Sequence, residues 1–328
     1  MPQISVVIPC YRVKRQIADV LSNIGPEVSQ IFIIDDVCPD STGDFVRQNF
    51  NDPRITVLVN RENLGVGGAV IAGYRVAVAS GADVIVKIDG DGQMNPRIIP
   101  KFVAPIIRRQ ADYTKGNRFY DLKNISRMPS ARIFGNTLLS FMTKLSTGYW
   151  HIFDPTNGFT AIDARLVPHL PLDQVSKRYF FESDMLFRLN TIRAVVMDIP
   201  MDACYGEEQS NLKILSVIPD FLFKHTSNFL KRVVYNYFLR DMTLASLELV
   251  LGVLLMTFGV VFGGIHWVQS VTEGASAPLG TIMLAALPVL VGLQFILAFL
   301  GYDISNIPRN VVSAELPDYE CNNKSIIP

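Results

Sequence analysis

Two long apolar runs near the C-terminus constrain this chain more than any other feature. Between Met242 and Ile265 the only charged residue is Glu248, and between Leu279 and Leu300 there is none. A helix needs about 20 mostly apolar residues to cross a bilayer core about 30 Å thick, and each run suffices. Helices of a soluble core are seldom so uniformly apolar. A membrane hairpin is therefore expected. The connection from His266 to Pro278 holds no Lys or Arg, whereas most basic residues precede Met242, and Arg309 and Lys324 follow the second run. The positive-inside rule then places both termini in the cytoplasm, at an inner or plasma membrane, with a short outer loop. Trp267 and Tyr302 stand where interfacial aromatics belong.

The rest of the 328 residues suffice for one large domain. The expected organisation is a cytoplasmic domain over 1–210, amphipathic juxtamembrane helices over 211–241, two spans over 242–302 and a cytoplasmic tail over 303–328. A formal net charge of zero argues against a general nucleic-acid surface. Cys10, Cys38, Cys204 and Cys321 are scattered without metal spacing, as reduced cytosolic thiols would be. The chain opens on a strand pattern, Ile4–Ile8, so no cleavable leader is expected.

Up to about Pro200, short apolar runs alternate with helical stretches. Strands are expected at Ile4–Ile8, Ile31–Ile34, Ile55–Val59, Val84–Ile88 and Tyr113–Lys115. Helices are expected near Gln16–Ile24, Gly43–Asn49, Gly68–Ala79 and Ile98–Arg109. This alternation predicts an α/β fold with a parallel sheet covered by helices on both faces.

The strand ends carry the polar groups. The fourth strand runs into Asp89-Gly90-Asp91-Gly92-Gln93. Two carboxylates this close repel unless a cation joins them, and a hard divalent ion carried on a diphosphate is the natural partner. The C-terminal edge of such a sheet is where ligands bind. The second strand ends at Asp35-Asp36, followed by Asp40-Ser41, which reads either as part of the site or as a helix cap. The third leads to Asn63-Leu64-Gly65-Val66-Gly67-Gly68, whose N–H groups, opening a helix, are expected to receive phosphate or ribose oxygens.

These segments resemble family 2 glycosyltransferases, in the branch of dolichyl-phosphate mannose synthase and the bacterial polyprenyl-phosphate glycosyltransferases. The resemblance rests on Val7-Ile8-Pro9-Cys10-Tyr11, Asp35-Asp36, Asn63-Leu64-Gly65, Asp89 to Gln93 with Pro96, Gly116-Asn117-Arg118-Phe119, Asp154 to Phe159 and Tyr179 to Leu186. It covers roughly the first two hundred residues and implies a GT-A fold, a nucleotide-sugar donor and a polyprenyl-phosphate acceptor. It also implies Mg²⁺ or Mn²⁺, with Asp91 as main ligand and Asp89 and Gln93 beside it. Pro9, Tyr11, Asp36, Gly65, Asp89 and Gln93 would hold the nucleotide-sugar.

A phosphate monoester is largely ionised at neutral pH and needs positioning more than a base. Arg118, Arg132 and Lys213 match or approach basic positions of the family, and an arginine fork suits phosphate. Asp154 would meet sugar hydroxyls or orient the acceptor. Asp184 is either an acceptor-side acid or a solvated carboxylate on a helix face. Ile214–Arg240 mixes apolar and basic residues, as helices on a membrane face do, or as a helix pair packing the domain onto the hairpin does. The chain departs from the family where Arg12-Val13 follows Tyr11, and at Asn157 and Thr160.

The expected activity is metal-assisted, inverting sugar transfer to a polyprenyl phosphate on the cytoplasmic face. The alternatives are another cell-envelope acceptor and a non-catalytic membrane scaffold of the same fold. A processive polysaccharide synthase would need a Gln-x-x-Arg-Trp motif, which is missing. The sequence leaves the sugar, the base and a homo-oligomeric state open.

Overall fold

The computed structural model describes residues 2–120, 130–202 and 214–316, with the side chains of 130–132 and 214–217 outside that description. The chain divides into two compact units, residues 1–229 with 308–328, and residues 230–307.

The first unit is built on a seven-stranded sheet: β1 (Ile4–Cys10), β2 (Gln30–Asp35), β3 (Ile55–Val59), β4 (Val84–Lys87), β5 (Tyr113–Asn117), β6 (Thr160–Asp163) and β7 (Val196–Pro200). The spatial order is β3-β2-β1-β4-β6-β5-β7. β1 is buried along its whole length, as a continuous apolar run buried on both faces must be. Its alternate residues feed two cores, Val7 on one face and Val6 with Ile8 on the other. Helices α3 (Gly65–Ala79) and α6 (Phe181–Thr191) cover the first face, and α1 (Ile17–Ser22), α2 (Thr42–Asn49) and α4 (Ile99–Ile107) the second. Between β5 and β6 lies α5 (Ser130–Thr147), and α7 (Ile214–Val234) follows β7.

The five expected strands and four expected helices are present within a few residues. The sheet is mixed rather than wholly parallel, because β6 runs antiparallel to both β4 and β5. β6 is four residues long, and β7 carries Asp198 and ends in Pro200, so neither shows a run long enough to read. The reversal matters for the site. A parallel strand offers its C-terminal end to the ligand edge, whereas β6 offers its N-terminal end and so brings the preceding turn, Asp154–Gly158, to that edge. The strand order reverses between β1 and β4. Their pairing stops at Val7↔Lys87, so Pro9 forfeits no ladder bond on that side.

Residues 308–316, which fall in the expected cytoplasmic tail, pack back onto this unit. Buried Asp112 accepts from the backbone N–H of Val312 (3.0 Å), Ser313 (2.7 Å) and Val195 (2.7 Å). Val312 and Leu316 pack against the core.

In the second unit, α8 (Leu244–Glu273) and α9 (Leu279–Ser305) are the two helices, among the described residues, long and apolar enough to cross a membrane. Their most apolar windows are only 22% and 11% buried, unlike core helices of a soluble protein. They touch at small residues. A Cβ at Gly292 would lie 2.9 Å from the Gly252 carbonyl, and one at Gly259 2.7 Å from that of Ala285. Such close backbone approach is the usual basis of helix association in lipid. Arg232 and Asp303 form a buried ion pair, completed by the Tyr237 hydroxyl, which donates to Asp303 at 2.6 Å.

Candidate active site

The site is assembled where β1, β4 and β5 end and β6 begins. After β4 the chain turns through Asp89 and Asp91. Lys87, the last residue of β4, is fully buried and lies 2.9 Å from Asp89 Oδ1 and 3.0 Å from Glu182 Oε1 on α6. Burial alone would lower this lysine's pKa, but the two carboxylates outweigh it and hold the ammonium above its ordinary value. Lys87 therefore remains charged at physiological pH and fixes Asp89. Asp91 is half-buried, and its Oδ1 accepts from the Gln93 N–H at 3.0 Å.

The turn before β6 is pressed onto this pair. A Cβ at Gly158 would stand 2.3 Å from Asp89 Oδ2 and 2.4 Å from Lys87 Nζ, so only glycine fits. One residue earlier, the Asn157 carbonyl accepts from Lys115 Nζ, a second fully buried lysine. Thr160 is in register with Lys87 on one side and Lys115 on the other. Burial lowers the Lys115 pKa to about 8.

Asp154 opens the turn and is buried. Arg118 grips it through Nε to Oδ2 (2.7 Å) and Nη2 to Oδ1 (2.9 Å), while the Arg118 backbone N–H reaches Oδ2 at 3.1 Å. The Arg118 side chain remains 24% exposed, so the guanidinium is a fixed cation at the surface of the site. Asp154, expected to meet sugar hydroxyls or to orient the acceptor, is thus the ion-pair partner of Arg118.

Asp184 is likewise no solvated carboxylate. It is buried, accepting from the Ser176 N–H (2.8 Å) and from Asn228 Nδ2 on α7 (2.9 Å). The next carbonyl, that of Lys177, accepts from the N–H groups of Gly67 and Gly68. Asp36 accepts from Leu64 N–H (2.9 Å), Gly65 N–H (2.7 Å) and Asn60 Nδ2 (2.7 Å). The donors at the start of α3, expected to await a phosphate, are thus engaged within the fold. Gly65, at φ +79°, allows the tight entry to that helix. Asp35 caps α2 through Gly43 N–H (2.7 Å), a role the sequence offered to Asp40-Ser41.

Tyr11, after β1, is 46% exposed and carries the Arg12 guanidinium 5.4 Å from its ring centre, while Pro9 lies within β1. Arg132 falls in the first turn of α5 with its side chain outside the described residues, and Lys213 lies outside them altogether. Among the described residues no three His, Cys, Asp or Glu converge as a ready metal cage. The oxygen donors Asp91, Asp89 and Gln93 nevertheless suit a Mg²⁺-like ion, which is commonly held by one or two carboxylates plus substrate phosphates.

Residues 5–170 match the model of glycosyl transferase family 2. The chain belongs to this family. This family 2 glycosyltransferase is 30% identical over 218 residues to the UDP-N-acetylglucosamine–dolichyl-phosphate N-acetylglucosaminyltransferase of Methanococcus voltae, covering 62% of this chain and 86% of the relative. It is 29% identical over 203 residues to the undecaprenyl-phosphate mannosyltransferase of Micrococcus luteus, covering 61% and 82%. In structure it is similar to mannosyl-3-phosphoglycerate synthase from Rubrobacter xylanophilus (TM-score 0.56, 15% identity, 74% of this chain and 77% of that one). It is also similar to glucosyl-3-phosphoglycerate synthase from Mycobacterium tuberculosis, solved with Mn²⁺, UDP and phosphoglyceric acid (TM-score 0.53, 18% identity, 70% and 78%). The fold is GT-A, and the chain is an enzyme of the glycosyltransferase class.

Sequence reasoning missed four groups of this glycosyltransferase's candidate site: Lys87, Lys115, Glu182 and Asp198. The two lysines had a signal, a lone cation inside a β-strand run, where charge is rarely buried unpaired. Asp198 had none. It accepts from Asn117 Nδ2 (3.0 Å) and the Phe153 N–H (3.2 Å), and burial pushes its pKa up to about 6.

Proposed function

We propose that this enzyme transfers a sugar from a nucleotide-sugar to a polyprenyl phosphate at the cytoplasmic face of a membrane, inverting the anomeric centre. The observation that carries the proposal is the Arg118–Asp154 fork. It aims a preorganised, partly exposed cation into the sheet edge that also holds Asp89 and Asp91, in a chain with two apolar helices of spanning length. Relatives named as dolichyl- and undecaprenyl-phosphate transferases support the same reading.

In this proposal the donor nucleotide lies along the ends of β1, β2 and β4, with Tyr11, Pro9 and Asp36 around base and ribose. Bound Mg²⁺ or Mn²⁺, held by Asp91 with Asp89 and Gln93, would neutralise charge gathering on the leaving diphosphate. Lys87 keeps Asp89 pointed through their ion pair, and Gly158 lets the Asp154 turn close onto it. Arg118 receives the acceptor phosphate and relieves its repulsion from the donor diphosphate. An acceptor already ionised needs alignment, and alignment within a fixed constellation supplies much of the rate. Lys115 holds the turn from below through the Asn157 carbonyl. Arg132 and Lys213 remain candidates for the same phosphate.

The test is transfer of label from a panel of UDP- and GDP-sugars to undecaprenyl and dolichyl phosphates, with Mg²⁺, Mn²⁺ or EDTA, by wild type and Asp91→Asn. An organic-soluble product that needs both metal and Asp91 is expected, and it names the donor. Nucleotide binding without lipid labelling from any donor overturns the acceptor assignment.

A further inference from the structure

One carboxylate oxygen holds the residues that precede both members of the Arg118–Asp154 fork. Asp198 Oδ2, on β7, accepts from Asn117 Nδ2 at 3.0 Å and from the Phe153 N–H at 3.2 Å. Asn117 stands directly before Arg118, and Phe153 directly before Asp154. The Asn117 carboxamide passes the hold onward, its Oδ1 accepting from the Phe119 N–H at 2.9 Å. Arg118 is thus bracketed by an amide that Asp198 fixes. Phe119 and Phe153 close the bracket, their rings meeting edge to face at 5.4 Å. β7 pairs with β5 as far as Pro200↔Asn117, so the strand carrying Asp198 is itself fixed against the end of β5.

Packing alone does not account for a carboxylate at this place. Its Oδ1 is buried and has no hydrogen-bond partner among the described residues. Burial pushes its pKa up to about 6, and nearby Asp154 adds to the rise while Lys115 opposes it. A perturbed carboxyl beside a ligand edge marks function more often than packing. Above pH 7 the group is mostly ionised, and an ionised acceptor holds each donor roughly twice as strongly as a neutral one. We propose that Asp198 is a positioning residue of the acceptor-phosphate site. It sets the end of β5 against the Asp154 turn and so aims the Arg118 guanidinium. It acts through Arg118 and touches neither substrate. The kinetic consequence rests on the acceptor reading above; the geometric one does not.

The test uses the full chain in lipid nanodiscs. Asp198→Val removes both accepting contacts, whereas Asp198→Asn keeps one accepting oxygen. Asn117→Ala breaks the same relay from β5, so the test does not depend on one variant folding. Hydrogen exchange resolved to single amides reads the geometry. The Arg118 N–H donates to Asp154 and not to Asp198, so it reports the fork itself. It should exchange about tenfold faster or more in Asp198→Val and in Asn117→Ala, and stay within about threefold of wild type in Asp198→Asn. An Arg118 amide unchanged in Asp198→Val and Asn117→Ala overturns the proposal. KM for polyprenyl phosphate should rise about tenfold or more in Asp198→Val while KM for the nucleotide-sugar holds. Equal rises in both, the mark of general structural damage, overturn it. In an Arg118→Lys background the fork is already lost, so Asp198→Val should add less than about twofold. A full further rise there shows that Asp198 acts apart from Arg118 and overturns the proposal. Exchange needs no substrate, so a wrong acceptor leaves that result intact and the two failures are distinguishable.

Discussion

Replacing Lys87 by methionine keeps the length of the side chain and removes its charge. In the folded enzyme this lysine is fully buried between Asp89 at 2.9 Å and Glu182 at 3.0 Å, whose side chains are 28% and 11% exposed. Lys87→Met leaves two carboxylates without their counter-ion. Removing one partner of a buried pair costs about 3–5 kcal/mol, and the partial exposure of Asp89 favours the lower end. At about 2–4 °C per kcal/mol for a domain of this size, a cost of about 3 kcal/mol lowers Tm by about 6–12 °C. The double variant Lys87→Met/Glu182→Leu removes the stranded charge on α6 and should recover most of that loss. Transfer should not recover in either, because Asp89 loses its orientation, and a small misplacement at a reacting centre costs on the order of 100-fold. Thermal unfolding followed by intrinsic fluorescence, beside the transfer assay, reads both quantities. The reasoning is refuted if the double variant melts as low as the single one, or if Lys87→Met transfers sugar at the wild-type rate.

Arg118→Lys keeps the charge but loses the two-pronged grip on Asp154, so KM for the polyprenyl phosphate should rise about tenfold or more while KM for the donor holds; steady-state kinetics with each substrate varied will show whether it does. Asp198 offers a pH signature. Burial raises its carboxyl pKa from 3.8 to about 6, so the native state binds the proton more tightly than the unfolded chain. Its contribution to stability is therefore full below about pH 4 and is lost as pH rises through about 6. Asp198→Asn should gain up to about 3 kcal/mol at pH 7.5 and little at pH 4, measured by denaturant unfolding at both. An equal gain at the two pH values would show that the Asp198 carboxyl does not titrate differently on folding.

Much of the candidate site's edge was legible because a buried strand ending in Asp89-Gly90-Asp91, and another ending in Asn117-Arg118, announce themselves locally. β-Branched residues set the strands, and polar residues directly after them lie at the ligand edge wherever the sheet is parallel. What sequence could not supply was which group faces which. Arg118 and Asp154 are 36 residues apart and Lys87 and Glu182 are 95 apart. Their pairing depends on the antiparallel β6, too short to read in advance, and on where α6 docks, which no local pattern gives. The donors of the Gly65–Gly68 turn looked open to phosphate because Asp36 and the Lys177 carbonyl, which occupy them, arrive from other strands and loops.

The sequence by itself determined the α/β unit, the two apolar helices and the family, since each depends on short-range patterns of apolar residues, glycines and carboxylates. Only the tertiary structure decided that Asp154 serves Arg118, that Asp184 ties α6 to α7, and that α5 turns Phe134, Leu138 and Phe141 outward. Burial and ion pairing are properties of neighbours brought together across the chain. The same residue can be a core anchor or a surface stripe until the fold has chosen its surroundings.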